Sequence, residues 1–215
     1  MNTTQGEQEM DTGGGRSRRW LMVAAIVCTV TAGSASTSGA ATYTVKACAP
    51  RTVTRPFTPW GDTNSYFVAP SGTFEYGIGT WTIAGSAWTV AENEPWRANG
   101  ATDSASMQLL PGSSIRSRSF CVGYDEDSIR LFIRQPGVPG SAITIRVTVT
   151  NPNGLGVNTY TMSGEEFGWT PSPRINMPNV RDANGQQTVT IEIAPANNPA
   201  VWMVDDVMVD PWKAK

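Results

Sequence analysis

Alternation of apolar and polar residues in three segments constrains the fold of this chain more than any other feature. In residues 143–150, isoleucine and valine alternate with threonine and arginine, and residues 188–193 repeat the pattern. Residues 129–134 alternate aliphatic side chains with arginine and phenylalanine. A period of two places the two sets of side chains on opposite faces of a β-strand. Turn clusters rich in glycine, proline and asparagine separate the segments, at residues 135–140, 151–154, 182–185 and 195–199. The spacing predicts an all-β antiparallel sandwich or barrel.

The first 41 residues have the pattern of an export signal. Basic residues at 16–19 precede an apolar run at 20–30, and small residues follow from 32 to 41. This order is typical of a secretory signal peptide, whereas spanning a bilayer takes about 20 apolar residues. The adjacent arginines also fit a twin-arginine signal, and an uncleaved anchor is a further alternative. The sequence therefore predicts a secreted, extracellular protein with no stable membrane span after processing, with signal and cleavage region in residues 1–41 and one domain in residues 42–215.

The charge balance and the lack of histidine exclude several classes of function. Sixteen lysines and arginines face eighteen aspartates and glutamates, and a net charge of −2 does not favour binding to nucleic acid. Without histidine, Ser-His-Asp catalysis, Cys-His catalysis and His-containing zinc sites are excluded. Glu92 and Glu94 would lie about 7 Å apart on one strand face, within the range of glycosidase pairs. Because acidic residues are often neighbours in loops, we predict that the protein is not an enzyme.

Two cysteines remain after the signal, since Cys28 lies within it. Cys48 and Cys121 are far apart in sequence and show no Cys-x-x-Cys spacing. In an exported chain, two such cysteines indicate a structural disulfide rather than a redox site. We expect the disulfide to tie the start of the domain to a strand.

Two motifs, one early and one late in the domain, resemble those of a known family. Residues 71–81 read Ser-Gly-Thr-Phe-Glu-Tyr-Gly-Ile-Gly-Thr-Trp, and residues 204–210 read Val-Asp-Asp-Val-Met-Val-Asp. The pair resembles secreted jelly-roll carbohydrate-binding modules, which have a galactose-binding-like β-sandwich. The resemblance implies an antiparallel jelly-roll β-sandwich with Phe74 and Trp81 in its core. Residues 43–70 lie outside this pattern. Their combination with residues 110–114, Leu-Pro-Gly-Ser-Ser, and 210–212, Asp-Pro-Trp, resembles uncharacterised secreted proteins of high-GC Gram-positive bacteria.

The same resemblance implies a structural Ca²⁺ shared by Glu75 and Asp205. Calcium takes six to eight oxygen ligands, and two carboxylates with backbone carbonyls suffice for a structural site. The alternative is that Glu75 is a solvated turn residue and that Asp205 caps an edge strand.

The tryptophans indicate what the domain binds. Sugar-binding proteins use flat aromatic rings because the axial C–H groups of a pyranose stack on the π face. Trp81 and Trp202 lie in apolar strands and are expected in the core, whereas four others stand among polar and turn residues. Residues 88–97 interleave two tryptophans with planar hydrogen-bonding groups. The predicted glycan-binding residues are Trp88, Trp96, Trp169, Glu92, Asn93 and Arg97. Packing and loop anchoring are the alternative roles for each tryptophan.

The sequence as a whole predicts a secreted, non-catalytic carbohydrate-binding module with a structural calcium. Its expected partner is a polysaccharide or cell-envelope glycan, and not nucleic acid. Arg130, Arg134 and Arg146 fall on polar strand faces, where we expect them to be solvated; the alternative is that on a concave sheet they favour acidic sugars. A secreted structural or protein-interaction β-sandwich without sugar binding is the alternative, since a fold by itself does not define a function.

Overall fold

A computed structural model describes residues 41–43, 48–123, 126–135, 137–163, 168–180, 186–196 and 199–210. The predicted signal region lies outside these residues apart from its last position, as does the turn cluster at 182–185. The division into signal and domain therefore stays a prediction. Within the described part of the chain, no helix has the length and apolar character needed to cross a membrane.

The described elements are β-strands joined by turns, with one short 3-10 helix at Thr58–Trp60. The strands are β1 (Ala41–Tyr43), β2 (Arg51–Val53), β3 (Phe67–Val68), β4 (Thr82–Ala84), β5 (Ala87–Val90), β6 (Ser106–Leu109), β7 (Ser114–Arg116), β8 (Phe120–Gly123), β9 (Ser128–Arg134), β10 (Ala142–Asn151), β11 (Gly154–Met162), β12 (Trp169–Pro171), β13 (Ile175–Asn176), β14 (Gln186–Ala196) and β15 (Trp202–Asp210).

Two antiparallel sheets form the sandwich. Sheet 1 has the strand order β11-β10-β14-β7-β4, and β8 also pairs with β14. Sheet 2 has the order β12-β9-β15-β6-β5, with β13 paired to β9 and β3 paired to β15. Strands β1 and β2 form a separate antiparallel pair. The predicted all-β antiparallel jelly-roll β-sandwich is confirmed.

The core lies between the sheets and follows the alternation read from the sequence. Ile143, Ile145, Val147 and Val149 of β10 are fully buried, and Arg146 on the opposite face is exposed. Sheet 2 contributes the aliphatic residues of β9 and Trp202 of β15 to the same cluster, and Phe74 and Trp81 join it from the segment before β4. The core positions expected for these three aromatic residues are confirmed. Burial of a large apolar side chain contributes about 1.5–3 kcal/mol, so the two inner faces hold the sheets together.

A second, smaller aromatic cluster covers part of the outer face of sheet 2. Phe132 of β9 and Met208 of β15 point away from the main core because their strand neighbours point into it. The segment before β3 lies over them and buries Phe57 and Tyr66, whose rings are 4.9 Å apart. This cover also buries Arg130, which is only 8% exposed. The expectation that Arg130 is solvated is therefore wrong, because a loop from far away in sequence covers its strand face.

The predicted disulfide is confirmed. Cys48 and Cys121 are bonded, with Cα atoms 5.9 Å apart and a sequence separation of 73. Cys121 lies on β8, so the bond fixes the segment before β2 to the edge of sheet 1. Arg51 reinforces the junction, since its guanidinium donates a 2.6 Å hydrogen bond to the Cys121 carbonyl and pairs with Glu126 at 3.0 Å.

Candidate functional site

The outer face of sheet 2 carries a row of side chains that crosses five strands. In register order the row is Trp169 on β12, Arg134 on β9, Met203 on β15, Gln108 on β6 and Trp88 on β5. Directly opposite residues on paired strands point to the same face. Neighbouring strands lie about 4.8 Å apart, so four intervals separate the two tryptophan backbones by about 19 Å. Trp88 is 45% exposed, and Trp169 is half-buried at the other end.

Trp96 stands beside this row on top of the aromatic cluster. Its ring lies 5.6 Å from Phe132, which precedes Arg134 by two residues on β9, and 4.6 Å from Trp60 in an edge-on arrangement. Trp169 packs against the same cluster. Trp96 nevertheless keeps 43% of its surface exposed. The structure thus brings Trp88, Trp96 and Trp169 onto one face, where Trp96 and Trp169 have buried support and an open side.

Planar polar groups lie between the aromatic rings. The Arg134 guanidinium forms an ion pair with the Glu92 carboxylate, and both side chains are partly exposed. Gln108 places a half-buried amide on β6, which is separated from the β9 strand of Arg134 by β15. The sequence predicts Glu92 for this role and offers Arg134 only as an alternative contact for acidic sugars, whereas it gives no indication of Gln108. The alternating pattern of a strand predicts which residues share a face, but it does not predict which other strand pairs with it.

Two predicted residues have other partners. The Asn93 amide nitrogen donates to the Glu94 carbonyl at 3.0 Å, and the side chain also hydrogen-bonds to the carboxylate of Asp103. The Arg97 guanidinium is exposed and donates to the Ala101 carbonyl at 2.7 Å. These hydrogen bonds join Asn93 and Arg97 to other residues of the 93–103 loop and not to the row on sheet 2.

A polar cleft adjoins Trp60 at the edge of the aromatic cluster, and Asp62, Asn64, Arg130 and Arg174 line it. The Asp62 carboxylate accepts hydrogen bonds from Tyr66 at 2.6 Å and from Arg130 at 2.8 Å. Burial raises the pKa of Asp62, but the hydrogen bonds from Tyr66, Asn64 and Arg130 outweigh it and leave that pKa below its ordinary value. Burial and the Asp62 carboxylate together raise the pKa of Tyr66 well above its usual range. This network locks the covering loop onto sheet 2.

The early and late motifs of the sequence meet beside β15. The backbone nitrogen of Val207 donates to Gly72 at 2.9 Å, and that of Ala69 donates to Val207 at 2.8 Å. A side chain on Gly72 would meet the Val207 carbonyl oxygen at 2.9 Å, so only glycine allows this approach. Glu75 follows three residues later, and its carboxylate accepts hydrogen bonds from the backbone nitrogens of Ser104 and Ala105. These bonds outweigh the effect of burial and lower the pKa of Glu75.

Three buried carboxylates converge next to this junction. Glu94, Asp103 and Asp206 each have an oxygen within 4.8 Å of the others, and none is more than 2% exposed. Asp206 lies at a register irregularity of β15 with a φ of 47°, a conformation that non-glycine residues adopt rarely. Among the described residues, no N–H or O–H group donates a hydrogen bond to either of its carboxylate oxygens or to Oδ2 of Asp205, and the polar side chain in contact with Asp206 is the Asp103 carboxyl group.

The electrostatics of the cluster reflect burial combined with like charge. Burial, followed by the Asp103 and Glu94 carboxylates, raises the pKa of Asp206 well above its ordinary value. Burial and Asp206 raise the pKa of Asp205 to about 10. Burial also raises the pKa of Asp103 to about 6, although hydrogen bonds from Asn93 and Asn99 oppose the shift. Such a group is unfavourable unless protons or a cation neutralise it.

The donor set fits a hard divalent cation. Calcium binds six to eight oxygens at 2.3–2.6 Å, so two oxygens on one ion are at most about 5 Å apart. The 4.8 Å spread of Glu94, Asp103 and Asp206 meets this limit. The predicted ligands Glu75 and Asp205 adjoin the group, Glu75 through its hydrogen bond with Asp103 and Asp205 as the sequence neighbour of Asp206. The Asp-Asp doublet of β15 was the only sequence signal for Asp206.

Neither a protein-family model nor a curated protein matches the sequence. Among solved structures, the fold is similar to that of carbohydrate-binding modules. TmCBM61 in complex with β-1,4-galactotriose is 13% identical with a TM-score of 0.45, and the alignment covers 66% of this chain and 96% of that chain. A family 16 carbohydrate-binding module is 16% identical with a TM-score of 0.44, covering 64% and 95%. The CBM22-1–GH10 modules of Clostridium thermocellum xylanase 10B, complexed with xylohexaose, are 16% identical with a TM-score of 0.48, covering 67% and 28%. These similarities concern the fold alone.

Proposed function

We propose that the protein is a secreted, non-catalytic carbohydrate-binding module that binds an extended polysaccharide or cell-envelope glycan. The observation that supports this most directly is the row on sheet 2, in which Trp88 and Trp169 flank Arg134 and Gln108. Aromatic rings offer apolar faces to the C–H groups of a sugar ring. The guanidinium and amide between them offer hydrogen bonds to its hydroxyl groups.

The length of the row favours a chain over a single sugar. The two tryptophan positions are about 19 Å apart across five strands, a span that one monosaccharide does not bridge. Trp96 adds a third ring beside the row, supported from below by Phe132. A glycan of several units would contact more than one ring at once.

The acidic residues support binding rather than hydrolysis. Glu92 is paired with Arg134, and Glu94 is 1% exposed with its carboxylate directed to backbone nitrogens of its own loop. Glu92 and Glu94 therefore do not form an exposed carboxylate pair flanking a substrate, which glycoside hydrolysis requires.

We further propose that a structural Ca²⁺ binds at Glu94, Asp103 and Asp206, beside the predicted ligands Glu75 and Asp205. The support is the convergence of buried carboxylates, among which the oxygens of Asp206 receive no hydrogen bond from any N–H or O–H group of the described residues. When bound, the ion would neutralise these charges and join the 93–103 loop to β15. It would take no part in any reaction.

Glycan binding is tested by titrating a panel of soluble polysaccharides and an oligosaccharide length series in the presence of calcium. Trp88→Ala should weaken binding about 5- to 30-fold, because stacking on one ring contributes on the order of 1–2 kcal/mol. Tyr76→Ala is the matched control, since Tyr76 is 99% exposed and lies outside the row. Affinity should rise with oligosaccharide length. If no glycan binds, or if Trp88→Ala binds as tightly as the wild type, the row is not a glycan site and an interaction domain is the better description.

A further inference from the structure

Glu94 belongs to both parts of the site. Its carboxylate oxygens accept hydrogen bonds from the backbone nitrogens of Trp96 and Ala98. The same carboxylate lies in the buried cluster with Asp103 and Asp206. One side chain therefore joins the cation-binding group to the loop that presents an exposed tryptophan.

The loop held by Glu94 has a conformation that needs such support. Arg97 lies between the two hydrogen-bonded nitrogens and has a φ of 50°, in the left-handed region. Non-glycine residues remain in that region only when their surroundings hold them there. On one side of Arg97, the Trp96 ring contacts Trp60, and on the other Ala98 packs against the aromatic cluster. The carboxylate and the cluster thus fix the turn from two sides.

Independent groups indicate that an ion belongs in the cluster. Asp206 is fully buried, and no N–H or O–H group of the described residues donates a hydrogen bond to its carboxylate oxygens, which contact the Asp103 carboxyl group. Asp205 is not one of the three converging carboxylates, but it is also fully buried, and its Oδ2 has no hydrogen-bond partner among the described groups. A cation would satisfy oxygens that the described protein groups leave unpaired.

Of the three carboxylates, Glu94 and Asp103 lie on irregular segments outside the strands. Asp206 lies within β15, and Asp103 is tied to the turn before β6 by a backbone hydrogen bond to Gly100 at 3.1 Å. Repulsion in the ion-free cluster would therefore displace Glu94 most easily. Its displacement would break the hydrogen bonds to Trp96 and Ala98.

We propose that Glu94 is a positioning residue that couples cation binding to glycan binding by fixing Trp96 on the outer face of sheet 2. The proposal rests on the proposed function. Because coupling between two sites is reciprocal, bound glycan must raise the affinity for the cation by the same factor. The ion is then a positive effector of the glycan face and not only a stabiliser of the fold.

The first experiment uses calcium chloride alone with the whole protein. Calcium should change the tryptophan fluorescence and its quenching by acrylamide in the wild type and in Trp88→Phe, but not in Trp96→Phe. Calorimetry on the same samples measures whether the ion binds. If calcium binds and Trp96→Phe responds like the wild type, the coupling is overturned while the calcium site stands. If calcium does not bind at all, both the proposed ion and the coupling are overturned.

The second experiment measures the coupling with the tightest polysaccharide from the panel. We expect at least a fivefold loss of affinity in chelator, and the same factor in calcium affinity when glycan is added. Asp103→Asn should weaken calcium binding, so that glycan affinity reaches its plateau only at a higher calcium concentration than in the wild type. Glu94→Gln should lower glycan affinity even at saturating calcium, because the loop loses an acceptor. Equal glycan affinity with calcium and with chelator would overturn the proposal, whereas a calcium-dependent Trp96 signal without any glycan binding would support the positioning role and contradict only the proposed ligand.

Discussion

Replacing Asp206 with asparagine should stabilise the ion-free protein. Asp206 is fully buried, and one of its carboxylate oxygens lies within 4.8 Å of an oxygen of Glu94 and of an oxygen of Asp103. At an effective dielectric constant of 20, each ionised pair at this distance costs about 3.5 kcal/mol, so two pairs cost about 7 kcal/mol. Protonating an ordinary aspartate at pH 7 instead costs about 4 kcal/mol, since about three pH units separate pH 7 from its pKa. Because protonation of Asp206 costs less than ionisation, the destabilisation of the folded protein is limited to about 4 kcal/mol.

Asparagine removes this cost and keeps the local shape. It has nearly the same size as aspartate and tolerates the positive φ of 47° at this position. In chelator at pH 7, Asp206→Asn should therefore raise the free energy of unfolding by up to about 4 kcal/mol and Tm by about 8–16 °C. In calcium the difference in the free energy of unfolding between the variant and the wild type should become smaller or change sign. The wild type gains about 2.7 kcal/mol at a hundredfold excess of calcium over Kd, and the variant gains less.

The pH dependence provides a second measurement on the same samples. The pKa values of Asp103 and Asp206 are raised in the folded protein, so their stabilising contribution is complete below pH 4 and is lost as pH rises through the folded values, about 6 for Asp103. In chelator, wild-type Tm should fall between pH 5 and pH 7, and that of Asp206→Asn should fall less. A variant less stable than the wild type in chelator at pH 7, with a wild-type Tm that rises over this interval, would refute the reasoning.

Two further predictions concern the covalent and ionic links to the sandwich. Cys121→Ser removes a crosslink to Cys48 across a sequence separation of 73, and should lower the free energy of unfolding by about 4 kcal/mol and Tm by about 8–16 °C. Two free thiols in protein purified from an oxidising compartment would contradict the pairing. Asp62→Asn leaves the buried Arg130 guanidinium without its carboxylate and should cost about 3 kcal/mol in urea unfolding at pH 7. Because the Asp62 pKa is lowered, this stabilisation is present above pH 4 and disappears as pH falls below it, so the variant and the wild type should converge in acid. A variant within 0.5 kcal/mol of the wild type at pH 7 would contradict it, since surface substitutions stay within about that limit.

The sequence by itself determined the strands and the composition of the core. The alternation in residues 143–150 identified Ile143 and Val149 as buried, since a strand has only two faces and one of them must be apolar. With Cys28 assigned to the predicted signal, Cys48 and Cys121 were left as the one possible disulfide pair, and the two are bonded. The resemblance of the early and late motifs placed Glu75 near the Asp-Asp doublet, and the backbone hydrogen bonds of Gly72 with Val207 bring those motifs together.

Only the tertiary structure decided which faces are covered and which residues meet. Alternation shows that Arg130 and Arg134 share a strand face, but not that a distant loop buries the first and leaves the second partly exposed. The sequence predicts that Glu94 shares a strand face with Glu92, because the two residues are two positions apart. Glu94 instead joins Asp206, to which it is connected only through the pairing of distant segments. Local patterns report which side of a strand a residue takes, whereas strand order, register and loop cover depend on long-range contacts that no local pattern contains.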